Sequence, residues 1–142
     1  MEIQLMFLLD TNIWLEELLG QRQAKTVAKM LNMLDLAEIC ITDFSLHSIG
    51  VICDRLQQRD VFVQFVQDVL IDGEVLIVSV PPNQMERLVE VMDNFNLDFD
   101  DAYQYVAAEI EKAVIVSFDK DLDRTDRGRW KPSQVIASKN NP

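Results

Sequence analysis

Apolar residues occur in short runs separated by longer periodic stretches, and this alternation predicts strands and helices in turn. A short apolar run bounded by polar or turn residues is typical of a buried strand. Such runs cover residues 4–9, 38–42, 75–80 and 114–116, and a less regular one covers 130–137. The run at 75–80 is apolar on both faces, which predicts a central parallel strand covered by helices.

Between these runs, apolar residues recur every three or four positions, which is the spacing of one helix face. The segments with helical spacing or composition are 13–19, 24–34, 46–56, 62–69, 85–95 and 102–111. Strands that alternate with helices pair in a parallel sheet through right-handed crossovers. The pattern therefore predicts an α/β fold, a doubly wound parallel sheet of about five strands with helices on both faces.

The length of 142 residues is that of one domain, which we expect to cover residues 1–142. An apolar fraction of 49% is ordinary for a globular chain and excludes a disordered or fibrous one. No apolar run approaches the ~18 residues of a membrane span, and no signal peptide is visible at the start. Cys40 and Cys53 have neither the number nor the spacing of a disulfide framework. We therefore expect a cytoplasmic protein that does not enter a membrane.

The net charge of -11 is distributed unevenly along the chain. Residues 98–123 contain eight acids and two bases, whereas residues 124–142 contain five bases and one acid. The overall balance disfavours a protein that binds duplex nucleic acid through a broad basic face. Two interpretations of the remainder stay open: an ordinary solvated surface, or an acidic site beside a basic rim, which would suit a metal and a polyanion together.

Three carboxylates that are distant in the chain are predicted to meet at one edge of the sheet. Asp10 ends the first strand, Asp119 follows the fourth, and Asp101 lies at the start of the helix that leads into the fourth. The carboxyl ends of parallel strands share an edge, and the start of a crossover helix lies at that same edge. Each acid alone has an ordinary explanation as a cap or turn residue, as Asp98 does at the start of its helix. Together they repel one another unless a cation neutralises them, and Mg²⁺ or Mn²⁺ suits oxygen ligands.

These motifs resemble the PIN-domain nucleases, and especially their VapC-like ribonuclease toxins. The resemblance covers nearly the whole chain and rests on three segments: Leu8-Leu9-Asp10-Thr11-Asn12, then Asp101-Ala102 with Ala107-Ala108, then Ser117-Phe118-Asp119-Lys120-Asp121. It implies an Mg²⁺- or Mn²⁺-dependent endoribonuclease that hydrolyses RNA phosphodiester bonds. It also implies a small antitoxin protein as partner and a homodimer.

The resemblance assigns roles to individual residues of this chain. Asp10, Asp101 and Asp119 become the catalytic, metal-binding carboxylates, and Asn12 and Ser117 become the residues that orient them. In the helix after the second strand, the family usually has a glutamate where this chain has Ser48. Ser48 is expected to support a metal-bound water without supplying the missing charge, so activity is expected to be weakened.

The basic C-terminal segment is the candidate contact for the RNA backbone. The residues assigned to phosphate are Arg124, Arg127, Arg129 and Lys131. A solvated strip, or a surface for an acidic partner, is an equally good explanation of this segment. The alternative function is a catalytically impaired PIN-fold module that binds RNA or protein without cutting. Metal affinity separates the two functions, because a binding module need not hold Mn²⁺.

Overall fold

A parallel sheet of four strands forms the centre of the computed structural model, which describes residues 5–140. The strands are β1 (Met6–Leu9), β2 (Ile39–Thr42), β3 (Leu76–Val78) and β4 (Ala113–Val116). Their order in the sheet is β3-β2-β1-β4, and every pair is parallel. The doubly wound α/β fold predicted from the sequence is confirmed. Residue 4, which was expected to begin β1, lies outside the described residues.

Seven α-helices surround the sheet in the described part of the chain. They are α1 (Thr11–Leu18), α2 (Ala24–Met33), α3 (Asp43–Arg55), α4 (Arg59–Phe65), α5 (Met85–Phe95), α6 (Phe99–Glu111) and α7 (Pro132–Asn140). Helix α4 continues as a π-helical segment, Val66–Asp72, and a 3-10 helix, Lys120–Arg124, follows β4. Among residues 5–140, no helix combines the length and the hydropathy needed to cross a membrane.

The alternation of side chains along β1 divides the core into two layers. Phe7 and Leu9 point to one face of the sheet, where they join the apolar sides of α1 and α2. Leu8 points to the other face, where it joins residues of α5 and α6. Since successive side chains of a strand point to opposite faces, a strand this apolar must be covered on both. The inner strand β1 meets that requirement, and its last three residues are at most 1% exposed.

The prediction that residues 75–80 form a central strand is wrong. The strand is only three residues long and lies at the edge of the sheet, where Leu76 and Ile77 are 46% and 47% exposed. Runs of valine and isoleucine indicate a strand, but they do not specify how many neighbours it has. Position within a sheet is decided by the connections of the whole chain.

A fifth strand at 130–137 was also expected, and the structure has a helix there instead. Only Trp130 pairs with the sheet, through an isolated parallel bridge to Val116. Pro132 follows, and proline has no N–H to donate to a strand ladder but fits the first position of a helix. Helix α7 therefore begins at Pro132, and Val135 is fully buried in the core.

We predict that truncating a leucine in β1 destabilises the domain far more than truncating one in β3. Leu8→Ala removes a side chain with no exposure and should lower the free energy of unfolding by about 2–5 kcal/mol. Leu76→Ala removes a half-exposed side chain and should cost about 1 kcal/mol or less. Urea unfolding of both variants checks this, and equal losses would contradict the strand order.

Candidate metal centre

Asp10 is a buried carboxylate that is held at the end of β1 by three hydrogen bonds. It is the N-cap of α1, and its side chain is only 7% exposed. Its Oδ1 accepts from the Thr11 backbone N–H at 2.8 Å and from Gln104 Nε2 at 2.9 Å. Its Oδ2 accepts from the Ser117 hydroxyl at 2.7 Å. A buried charge is costly without partners, and these donors supply them.

Ser117 joins Asp10 to the loop after β4. Besides donating to Asp10, its Oγ accepts from the Asp119 backbone N–H at 2.9 Å and from Asn12 Nδ2 at 3.3 Å. Asn12 Oδ1 accepts in turn from the Phe118 N–H at 3.3 Å. Ser117 therefore contacts the Asp10 carboxylate directly, whereas Asn12 is connected to it only through Ser117, and the orienting role of both residues stays a prediction.

A second group of carboxylates lies at the same edge of the sheet. Three carboxylate oxygens, one from each acid, lie within 4.8 Å of one another, and they belong to Asp101, Asp119 and Asp121. Asp98 caps α6 as expected, because its side chain accepts from the Asp101 N–H at 2.9 Å, and this places Asp101 in the first turn. Asp119 accepts from the Asp121 N–H at 2.9 Å in a turn that brings both acids together.

This grouping differs from the predicted one in two respects. Asp101 and Asp119 are together as expected, whereas Asp10 stands beside the three-carboxylate group and outside it. Asp121 belongs to the same short motif as Asp119 but was missing from the predicted ligands. The signal was available in its spacing, since a residue two positions after an Asp is positioned by the Asx turn that the first one forms.

The electrostatics of the group fit a divalent cation. Burial and, after it, the nearby carboxylates of Asp119, Asp98 and Asp10 together raise the pKa of Asp101 to about 7. Burial and the charges of Asp98 and Asp10 also raise the pKa of Asp100. Oxygen ligands at this spacing suit Mg²⁺ or Mn²⁺, and a bound cation would relieve the repulsion. The residues present therefore fit a divalent cation, and its identity as Mg²⁺ or Mn²⁺ stays a prediction.

Ser48 makes no side-chain hydrogen bond within residues 5–140, and it is half-buried on α3. The side chain of α3 that is connected to Asp10 is Ser45, which lies one turn before Ser48 and shares the Gln104 amide with Asp10. Ser45 is fully buried, and its hydroxyl contacts Thr11 Oγ1 and Gln104 Nε2, both at 2.8 Å. Sequence analysis missed Ser45 and Gln104, since neither carries charge and polar residues within helices are usually solvated.

Three of the four predicted phosphate-binding residues make contacts within the protein. Arg124 donates to Asp121 and to the Asn96 carbonyl, and Arg127 donates to the Ala113 carbonyl. Arg129, whose side chain is 5% exposed, donates to Asp123 and to the Ser117 carbonyl.

The fourth, Lys131, is exposed and forms no ion pair with the described residues. An intramolecular contact does not prevent a guanidinium from also meeting phosphate, so the assignment of all four residues stays a prediction. Among them, Lys131 is the one whose charge is most available to an outside anion.

The family model of the PIN domain matches residues 7–128, which is most of the chain. The chain belongs to the PIN domain family. The match includes Asp10, Asp101, Asp119 and Asp121 but ends before Lys131. No curated protein matches this PIN domain in a sequence comparison.

Several solved structures share the fold of this chain. A toxin–antitoxin complex from Klebsiella pneumoniae is 17% identical, with a TM-score of 0.68 over 88% of this chain and 96% of that one. FitAcB from Neisseria gonorrhoeae is 19% identical, with a TM-score of 0.72 over 90% and 99%. PAE2754 from Pyrobaculum aerophilum is 16% identical, with a TM-score of 0.66 over 99% and 98%. At these identities the likeness establishes a common fold.

We predict that Asp101→Asn stabilises the metal-free protein at alkaline pH. Because the pKa of Asp101 is raised from 3.8 to about 7 on folding, the folded state binds more protons than the unfolded chain between those values. The free energy of unfolding therefore falls as the pH rises through this window. The variant lacks this loss and should be more stable than wild type at pH 8 by at least about 1.4 kcal/mol.

Urea unfolding in EDTA at pH 4, 6 and 8 measures the effect. The difference between the two proteins should shrink towards pH 4, where Asp101 is protonated in the folded state and the unfolded chain begins to take up the same proton. Asp93→Asn on the exposed side of α5 is the matched control, and it should show no such pH dependence. A stability difference that is constant from pH 4 to pH 8 would contradict the prediction.

Proposed function

We propose that this PIN domain is an Mg²⁺- or Mn²⁺-dependent endoribonuclease of the VapC toxin type. The observation that carries the proposal is the convergence of Asp101, Asp119 and Asp121 at the edge of the sheet where Asp10 is also held. Each of these four carboxylates has a local structural role, but together they place like charges from three segments of the chain at one edge. Their repulsion is a stability cost that a metal-dependent function explains.

Some of these residues would bind the metal, and others keep the carboxylates in position. Asp101, Asp119 and Asp121 present oxygens for a divalent ion, and Asp10 presents an oxygen beside them. Ser117 keeps Asp10 and Asp119 in a constant relation, because its single hydroxyl contacts both. When bound, the metal would supply an activated water and would neutralise charge on the scissile phosphate.

The alternative is a PIN module that binds RNA or protein with impaired catalysis. Ser48 favours it, because this half-buried hydroxyl brings no negative charge to the site. The nearness of Asp121 to the other two acids favours the enzyme, since it supplies a further carboxylate. Cleavage and metal binding, measured together, separate the two functions.

An antitoxin and a second copy of the chain are the proposed protein partners. Support for the antitoxin comes from the structural neighbour described as a toxin–antitoxin complex. A homodimer remains an expectation from the family resemblance, as does a cytoplasmic location. Light scattering on the purified protein measures the oligomeric state directly.

The function predicts that RNA cleavage requires both the metal and Asp10. Wild type should cut a mixed pool of structured RNA with Mn²⁺ or Mg²⁺ and should lose activity in EDTA. Asp10→Asn should reduce the rate more than about 100-fold, because even the partners of metal ligands account for 10–100-fold effects. Asp93→Asn, which makes the same chemical change on an exposed surface, should cut at the wild-type rate.

A wild-type protein that binds Mn²⁺ but leaves every RNA intact would reject the nuclease and favour the binding module. Cutting that persists in EDTA, or at full rate in Asp10→Asn, would show that the activity belongs to a contaminant or to another site.

We also predict that Lys131 contributes one phosphate contact. In the Asp10→Asn background, Lys131→Gln should weaken RNA binding and reduce the slope of log affinity against log salt by about 0.7. Fluorescence anisotropy at several salt concentrations measures the slope. Lys139→Gln is the control, because Lys139 pairs with Glu38 at 2.6 Å within the protein. An unchanged slope for Lys131→Gln would remove this residue from the RNA interface.

A further inference from the structure

Gln104 is a large, almost fully buried polar side chain beside the candidate site. It lies in the middle of α6 with 1% of its surface exposed, and it is among the largest fully buried side chains of the described chain. A buried amide is costly unless its donors and acceptor are all satisfied. In this structure they are satisfied by Asp10, Ser45 and Thr42.

The surrounding hydrogen bonds determine which way the amide faces. The Thr42 hydroxyl accepts from the Ser45 backbone N–H at 2.9 Å, so its own hydrogen is available to another acceptor. That acceptor is Gln104 Oε1, at 2.7 Å. The Nε2 group is thereby directed at Asp10 Oδ1, at 2.9 Å, and at Ser45 Oγ, at 2.8 Å. The reversed amide would set Oε1 against a carboxylate, which donates nothing.

The acceptor positions of Asp10 show what this contact does. A carboxylate has about four lone-pair positions, two on each oxygen. On Oδ1 both are used, by the Thr11 N–H and by Gln104. On Oδ2 one is used, by Ser117. The remaining position is on Oδ2, and the bonds to both oxygens restrict rotation of the carboxylate about its terminal bond, which is otherwise soft.

We propose that Gln104 is a positioning residue, which holds the Asp10 carboxylate so that one Oδ2 lone pair stays available to a divalent metal ion. Thr42 acts behind it by orienting the amide. The proposal rests on the proposed function, because it takes Asp10 to be a metal-binding carboxylate. It adds a chain of hydrogen bonds, in which the neutral side chains of Thr42 and Gln104 lead from the carboxyl end of β2 through α6 to Asp10 at the end of β1.

Manganese affinity tests this separately from folding and from catalysis. Gln104→Met keeps the length of the side chain but removes the amide, and the Mn²⁺ dissociation constant should rise about 10–100-fold, as for other partners of metal ligands. Titration followed by electron paramagnetic resonance of free Mn²⁺ gives the constant without any RNA. Thermal unfolding in EDTA reports the change in stability for the same samples.

Tyr103→Phe is the matched control from the same helix. The Tyr103 hydroxyl accepts from the Val80 N–H at 3.1 Å and donates to Asp43 at 2.8 Å, and it has no contact with Asp10. The variant therefore loses buried hydrogen bonds one residue away from Gln104. It should lower the unfolding temperature and leave the Mn²⁺ dissociation constant at the wild-type value.

A pair of substitutions at Thr42 keeps the test available if Gln104→Met does not fold. Thr42→Val removes the hydroxyl that orients the amide and should weaken Mn²⁺ binding in the direction expected for Gln104→Met. Thr42→Ser retains the hydroxyl and should restore the affinity. Because Thr42 also caps α3, both variants are compared at temperatures where each is fully folded.

The outcomes distinguish this proposal from the proposed function. An unchanged Mn²⁺ dissociation constant in folded Gln104→Met, or in Thr42→Val where Gln104→Met does not fold, overturns the positioning role and leaves the nuclease intact. Weakened Mn²⁺ binding in a protein whose wild type cuts no RNA upholds the positioning role and rejects the nuclease. A wild type that binds no Mn²⁺ overturns both.

Discussion

The hydrogen bond from the Ser117 hydroxyl to the Asp10 carboxylate, 2.7 Å long, joins the carboxyl ends of β1 and β4. The two strands are paired in register up to Leu9 and Val116, and the Asp10 N–H extends the ladder to the Val116 carbonyl at 2.9 Å. The site is thus the direct continuation of the sheet. The backbone hydrogen bonds between β1 and β4 bring the ends of the two strands together. Ser117 then connects the buried Asp10 carboxylate to the loop that carries Asp119.

Placing several carboxylates at this edge of the sheet has an energetic cost in the metal-free protein. Burial of Asp101 and its closeness to Asp119 raise the pKa of Asp101 to about 7, so the metal-free site disfavours its own charged form. The core on both faces of the sheet offsets that cost. Sites that break a local rule while the surrounding fold compensates are typical of functional regions. Here the rule is that like charges are kept apart, and the carboxylate group does not follow it.

The basic segment that follows the acidic loop also contributes to the fold. Arg129 donates to the Ser117 carbonyl and to Asp123, while Arg127 donates to the Ala113 carbonyl at the other end of β4. Arg124 pairs with Asp121 itself. The uneven charge along the chain is therefore in part an internal pairing that holds the loop of Asp119 and Asp121 in place. Such contacts are not visible in a count of charges.

Local pattern was sufficient for β1 to β4, for α1 to α6, for the sandwich they form, and for the place of three acids at its edge. Those features follow from side-chain periodicity and from the rule that parallel strands end at a common edge, both of which act over short stretches of sequence. The cap by Asp98 was likewise predictable, since it joins residues three apart.

Tertiary structure alone decided the rest. It placed β3 at an edge and Asp10 beside the carboxylate group, whereas Pro132 and the spacing of Asp119 and Asp121 were local signals for helix α7 and for the third acid of that group. It also brought Gln104 to Asp10, a contact between residues 94 positions apart. Neutral side chains such as Ser45 and Gln104 carry no long-range signal in a sequence, because their role depends on which partner the fold sets within hydrogen-bonding distance.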